Sequence, residues 1–134
     1  MKLKHFSCVL SICCIMIMLF GVASASAIEF RASDMFESTY VITGSDLYTE
    51  FGASTRRNAD SMYVLSCTLQ EMDSNDRVVA STKLTPPQKV VEGKSNFTAD
   101  ATYSGTSGKR YRIKAVFYAD GYTVTSYSKI VTCK

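Results

Sequence analysis

The sequence predicts an all-β domain over residues 28–134, a sandwich of about seven antiparallel strands, and three observations predict it. Beyond residue 27 the chain falls into short runs rich in Tyr, Val, Thr and Ile, cut by glycines, Asx residues and the Pro86-Pro87 pair. Two of those runs alternate cleanly. Phe97, Ala99, Ala101 and Tyr103 oppose Asn96, Thr98, Asp100 and Thr102; Tyr111, Ile113, Ala115, Phe117 and Ala119 oppose Arg110, Arg112, Lys114 and Tyr118. Successive strand side chains point to opposite faces, so one set of each run is core and the other is wet. Finally, no convincing amphipathic helical period appears beyond residue 37, which leaves two packed sheets as the means of burying the apolar sets.

The elements follow in order. Lys2, Lys4 and His5 make a positive start, Phe6 to Phe20 is a run of 15 residues broken only by Ser7 and Ser11, and Gly21 to Ala27 is small and turn-prone. This is the pattern of a secretory signal peptide over residues 1–27, cleaved after Ala27 or, alternatively, Ala25. The run is shorter than the roughly 18 residues that span a bilayer. With no second such run, the mature chain is expected to be secreted and not to insert stably into a membrane. The segment "SDMFE" at 33–37 reads as one helical turn. Strands are expected near 38–43, 46–56, 61–72, 77–84, 95–104, 109–119 and 122–133. "SNDR" at 74–77 is a turn, because Asx side chains bond their own backbone; the loop lacks the later Glu of a calcium-binding EF-hand. Residues 97–103 and 111–117 lie either in opposing sheets joined by an arch or in a hairpin that pairs Asp100 with Lys114 and Phe97 with Phe117. Asp120-Gly121 reads as a two-residue type I′ hairpin turn, since both positions require positive φ. In its simplest register Phe117 faces Val124, and Cys133 falls on the outward face unless a bulge shifts the phase.

Composition excludes several function classes. Taking Lys2 and Lys4 from the 15 basic residues leaves 13 against 12 acidic ones, a formal net charge of +1 for residues 28–134. That is no footprint for nucleic acid, which asks for a strong basic excess. Cys8, Cys13 and Cys14 belong to the signal, so Cys67 and Cys133 remain. In an exported chain they form one disulfide or stay as two buried thiols. The single histidine is His5 and there is no Trp, which removes Ser-His-Asp triads, Cys-His dyads and His metal sites from residues 28–134. No phosphate loop, dinucleotide fingerprint or H-E-x-x-H is present. The expectation is a non-enzyme with no cofactor and no metal.

The residues left to carry function are on the surface. Tyr118, Asp120, Tyr122 and Tyr127 gather around the last hairpin, where tyrosines stack on sugars or grip a protein; the competing reading is cross-strand pairing alone. Arg110, Arg112 and Lys114 share one strand face, a stripe suited to an anionic polymer or, equally, to a solvated strand face that repels edge pairing.

The stretch "YSGTSGKRYRIKAVFYADGYTVTSYSKIVT", residues 103–132, resembles the last two strands of fibronectin type III and related immunoglobulin-like domains. The resemblance places Tyr111 at the tyrosine corner of that fold. The chain is also similar to small secreted proteins of clostridia-type Gram-positive bacteria, which share a "GTSGKRY…VFYA" region. The resemblance implies a β-sandwich and export and no activity; the chain departs from fibronectin type III in lacking the usual core Trp. The expected function is therefore a secreted, non-catalytic binding module for a surface protein or glycan of a cell envelope or host. The alternatives are a self-associating extracellular structural protein that pairs through edge strands, or a secreted inhibitor or toxin. The oligomeric state is not set by these residues.

Overall fold

The computed structural model describes residues 35–43 by backbone and residues 46–134 with side chains. The signal peptide, its cleavage points and the first two residues of the 33–37 segment lie outside the described residues. Nine strands are described: β1 (Met35–Thr43), β2 (Asp46–Ala59), β3 (Met62–Met72), β4 (Val78–Leu84), β5 (Val90–Val91), β6 (Lys94–Ser104), β7 (Arg110–Ala119), β8 (Tyr122–Tyr127) and β9 (Val131–Thr132). The chain is all-β, and every pairing is antiparallel. A three-stranded sheet runs β1-β2-β6; a larger sheet runs β4-β3-β7-β8, with β5 on β3 and β9 on β7. Of the two short strands, β5 is an addition to the seven expected ones, and β9 is the far end of the run expected at 122–133.

The helical turn expected at 33–37 is overturned over its described part. Met35, Phe36 and Glu37 pair with Thr55, Ser54 and Ala53, because an available edge of β2 satisfies their backbone groups as a ladder. The two alternating runs lie in different sheets, β6 beside β2 and β7 between β3 and β8, so the connection is an arch and the hairpin alternative falls. Asp100 pairs with Glu50, and Lys114 with Thr68 and Tyr127. Phe97 and Phe117 still meet, across the sandwich: their rings are edge-to-face at 6.4 Å, and Phe51 meets Phe117 likewise at 6.5 Å. These three rings, with Leu47, Met62 and Ile113, are the large fully buried side chains. Ala115 and Ala119, both wholly buried, let the sheets close over them.

The turns follow the expected chemistry. Asp73 Oδ1 accepts from the N–H groups of Asn75 (2.8 Å) and Arg77 (2.9 Å), the Asx arrangement that makes "SNDR" a turn. Asp120 and Gly121 have φ of 48° and 88°, and Phe117 faces Val124. In the arch, the Thr106 N–H donates to Tyr111 Oη at 3.1 Å. Gly105 sits where a Cβ would meet Cys133 Sγ at 3.0 Å and Leu47 Cδ1 and Tyr111 Cε2 at 3.1 Å.

Two irregularities change which residues face inward. Val64 pairs with Phe117 but Ser66 with Val116, so Leu65 is extruded and 47 % exposed. The strand expected at 122–133 is broken. Lys114 pairs with Tyr127 and Arg110 with Thr132, so five steps on one side span four on the other. Ser128 covers the break: its N–H donates to Ile113 O and its Oγ accepts from Ile113 N at 2.8 Å. The one-residue shift turns Cys133 from the outward face to the core. The disulfide is corrected by the same register. Cys67 lies opposite Ala115, whereas Cys133 donates its backbone N–H to Lys109 O and accepts at its carbonyl from the Gly108 N–H. Six residues of strand separate those points, about 20 Å, against Cα separations under about 7 Å in a disulfide. Cys67 and Cys133 are both buried thiols, not joined to each other.

Candidate functional site

The outer face of the larger sheet is set by the parity of β7. Tyr111 through Ala119 go inward at every second position and are buried, which leaves Arg110, Arg112, Lys114, Val116 and Tyr118 half-exposed on the other side. Registers on both flanks turn this stripe into a surface. One row runs Lys83–Thr68–Lys114–Tyr127 across β4, β3, β7 and β8; the next runs Ser81–Gln70–Arg112; a third runs Tyr63–Tyr118–Thr123.

Within these rows the groups differ in what they have left to offer. Arg110 is committed to scaffold: its guanidinium donates to Asp73 O and to Asp76 Oδ1, both at 2.6 Å, and pins the β3–β4 turn. Arg112 donates through Nε to Gln70 Oε1 at 2.8 Å and lies over the Tyr127 ring at 4.7 Å from the centroid. A cation over an aromatic face is held without being neutralised, so Arg112 keeps its charge for a ligand. Among the described residues Lys114 and Lys83 have no ion-pair partner. Tyr118 stacks on Tyr63 with centroids 4.7 Å apart and planes 25° from parallel. Tyr127 is half exposed.

Two expected members stand elsewhere. Tyr122 is the inward partner of Ala119 and packs against the core, because parity on β8 sends Tyr122 in and Tyr127 out. Asp120 has both carboxylate oxygens occupied: Oδ2 accepts from the Asp60 N–H and Oδ1 from the Ser61 N–H, each at 3.0 Å. It ties the β7–β8 turn to the β2–β3 turn. Conversely, Tyr63 and Lys83 belong to the face and were not legible beforehand. Their place depends on β3 and β4 pairing with β7 across long stretches of chain, and on the Leu65 bulge that keeps Tyr63 in line with Tyr118.

The opposite face of the sandwich has a different character. Glu50 and Asp100 are register partners on β2 and β6, and with Tyr48, Lys89 and Thr98 they line a recess of about 400 Å³. The Tyr48 hydroxyl has its pKa raised, by desolvation first and then by the negative charges of Asp100 and Glu50. At the margin of the core, Tyr103 Oη donates to Thr85 O at 3.0 Å and lies 3.3 Å from Cys67 Sγ. With that hydroxyl hydrogen already given away, the thiol is the donor of the second bond. Burial pushes both groups up, the hydroxyl strongly and further through its bond to Cys67. No cluster of three His, Cys, Asp or Glu side chains suited to a metal occurs among the described residues. The arrangement offers rings, amides and fixed cations on a flat face, which can hold a ligand. Set beside known proteins, this two-sheet β-sandwich matches no protein-family model and no curated sequence.

Proposed function

We propose that the chain is a secreted, non-catalytic binding module that holds an anionic polymer or glycan of a cell envelope or host surface on the outer face of its larger sheet. The observation that carries this reading is a set of cross-strand rows with cations and half-exposed rings but no carboxylate: Lys83, Lys114 and Arg112 beside Tyr127, and the Tyr63–Tyr118 stack beyond the intervening Ser66–Val116–Thr125 row. Tyrosine rings present area at low entropic cost, and unneutralised cations set the sign of the partner. The division of strands into β1-β2-β6 and β4-β3-β7-β8 supports an immunoglobulin- or fibronectin-III-like sandwich, and so does the Thr106 N–H bond to Tyr111 Oη at the arch, the contact of a tyrosine corner.

Co-sedimentation of the purified protein with isolated envelopes across a salt series tests the proposal. Saturable binding that weakens as salt rises is expected, together with at least about tenfold weaker binding for Lys83→Glu with Lys114→Glu and Arg112→Gln. Unaltered binding by that variant, with its melting temperature preserved, would reject this face as the site.

A further inference from the structure

We propose that, on the reading above, the surface ligand is an N-acetylated glycan, and that one of its acetamido groups enters a recess at the edge of β3. The recess begins with two prolines. A strand that carried β4 further along β3 would have to donate backbone N–H groups, and Pro86 and Pro87 have none. β4 therefore ends at Leu84, opposite Cys67, and pairing resumes only at Val90, opposite Tyr63. Val64, Leu65 and Ser66 are left without a ladder partner on that flank. The loop between is braced at its start: Thr85 O accepts from Tyr103 Oη and Pro86 O from Gln88 Nε2, each at 3.0 Å. A space of about 310 Å³ stays open between loop and strand, walled by Tyr63, Val64, Leu65, Pro86, Pro87 and Val90 with Gln88 and Lys89. That volume is at the small end of the range for small-molecule sites.

The walls combine two chemistries. Leu65, thrown out by the bulge, is 47 % exposed and Val90 is 55 % exposed, so the fold leaves both apolar side chains uncovered. Between them runs the unpaired edge, and an unpaired strand edge presents N–H and C=O groups. An occupant that satisfies both walls brings apolar surface together with a donor and an acceptor. An acetamido group is a methyl, an N–H and a C=O in that compact form. The gap also sets the size of the occupant. It spans three residues of strand, about 10 Å, and β4 and β5 close its two ends. An added peptide strand or the edge of a second copy needs a longer free edge, so a single pendant amide fits where a strand does not. Lys89 is the one charged side chain in the lining, and no carboxylate is there to repel an anionic polymer.

The recess is continuous with the face that holds the polymer. Val90, Tyr63, Tyr118 and Thr123 form one row across β5, β3, β7 and β8, and ladder partners project to the same side. A sugar ring resting on the Tyr63–Tyr118 pair turns one substituent over Val90 and Leu65. Lys114 lies four residues along β7 from Tyr118, about 13 Å, so neighbouring units of the same polymer bring their negative groups to Lys114 and Arg112.

Two measurements on the wild-type protein test the recess. By NMR, titration with N-acetylglucosamine should shift the backbone amide signals of Leu65, Ser66 and Val90, and glucose at the same concentration should leave them in place. In binding assays hyaluronan, an alternating polymer of glucuronate and N-acetylglucosamine, should bind at least about tenfold more tightly than carboxymethyl dextran of matched charge density. Leu65→Ser with Val90→Ser should bring hyaluronan down to the level of carboxymethyl dextran while keeping the wild-type melting temperature. Equal binding of the two polymers to the wild type, or amide signals indifferent to N-acetylglucosamine, would overturn the acetamido recess and leave the basic face standing. Amide shifts with N-acetylglucosamine but no binding of either polymer would reject the basic face and support the recess.

Discussion

Replacing Asp120 separates a scaffold role from a ligand role at a position that the sequence offers as a binding residue. Its carboxylate accepts two backbone N–H groups at 3.0 Å, one exposed and one half-buried, and its φ of 48° is left-handed. A hydrogen bond to a charged group contributes about 1.5–3 kcal/mol, at the low end where water can replace the partner. Asp120→Gly removes both bonds and keeps the backbone relaxed, for a loss of about 2–3 kcal/mol. Asp120→Ala adds the cost of a left-handed Cβ, about 1–2 kcal/mol more. For a domain of this size each kcal/mol moves the melting temperature by about 4–8 °C, so glycine should melt roughly 10–20 °C lower and alanine lower still. Urea unfolding at a fixed temperature gives the two free energies directly. Equal losses for glycine and alanine would refute the left-handed strain, and a loss below about 0.5 kcal/mol for glycine would refute the tie between the two turns. At a temperature where the glycine variant is folded, its binding to envelopes should match wild type.

Two further outcomes follow from the interior. Gly105→Ala should destabilise by about 1–3 kcal/mol, since its methyl would press on Cys133, Leu47 and Tyr111 at 3.0–3.1 Å; a wild-type urea midpoint would show that the arch gives way freely. The alkaline limb of stability should be steep. Cys67 and Tyr103 both have folded pKa values raised above their unfolded ones, so they favour the fold fully below the unfolded values and cease to do so as pH rises toward the folded ones. The urea midpoint should therefore hold from pH 7 to about 8.5 and decline above it, less steeply in Cys67→Ala; a midpoint constant to about pH 10.5 would contradict the coupling of these two groups to the fold.

Local pattern alone was enough for the strands and turns that a period of two or an Asx bond determines. The inward set from Tyr111 to Ala119, the "SNDR" turn and the Asp120-Gly121 hairpin could all be read before any fold was known, because each depends on neighbours within a few residues. Basic charge on one face of β7 was equally legible, from parity. What lay beyond the sequence was every property that needs a distant partner or a count of bulges. Met35–Glu37 became strand because β2 presented an edge. Cys133 turned inward because one extra residue after Tyr127 flips the phase, and that same register holds it about 20 Å from Cys67. Tyr122 left the expected tyrosine cluster while Tyr63 and Lys83 joined the face, since pairing across dozens of residues decides which rings become neighbours. Arg110 and Asp120 carry charges that the sequence displays plainly, but only the tertiary structure shows those charges already satisfied by turns. Side-chain alternation is a local property of an extended backbone; the company a side chain keeps is set by long-range register, and here register separated scaffold from surface.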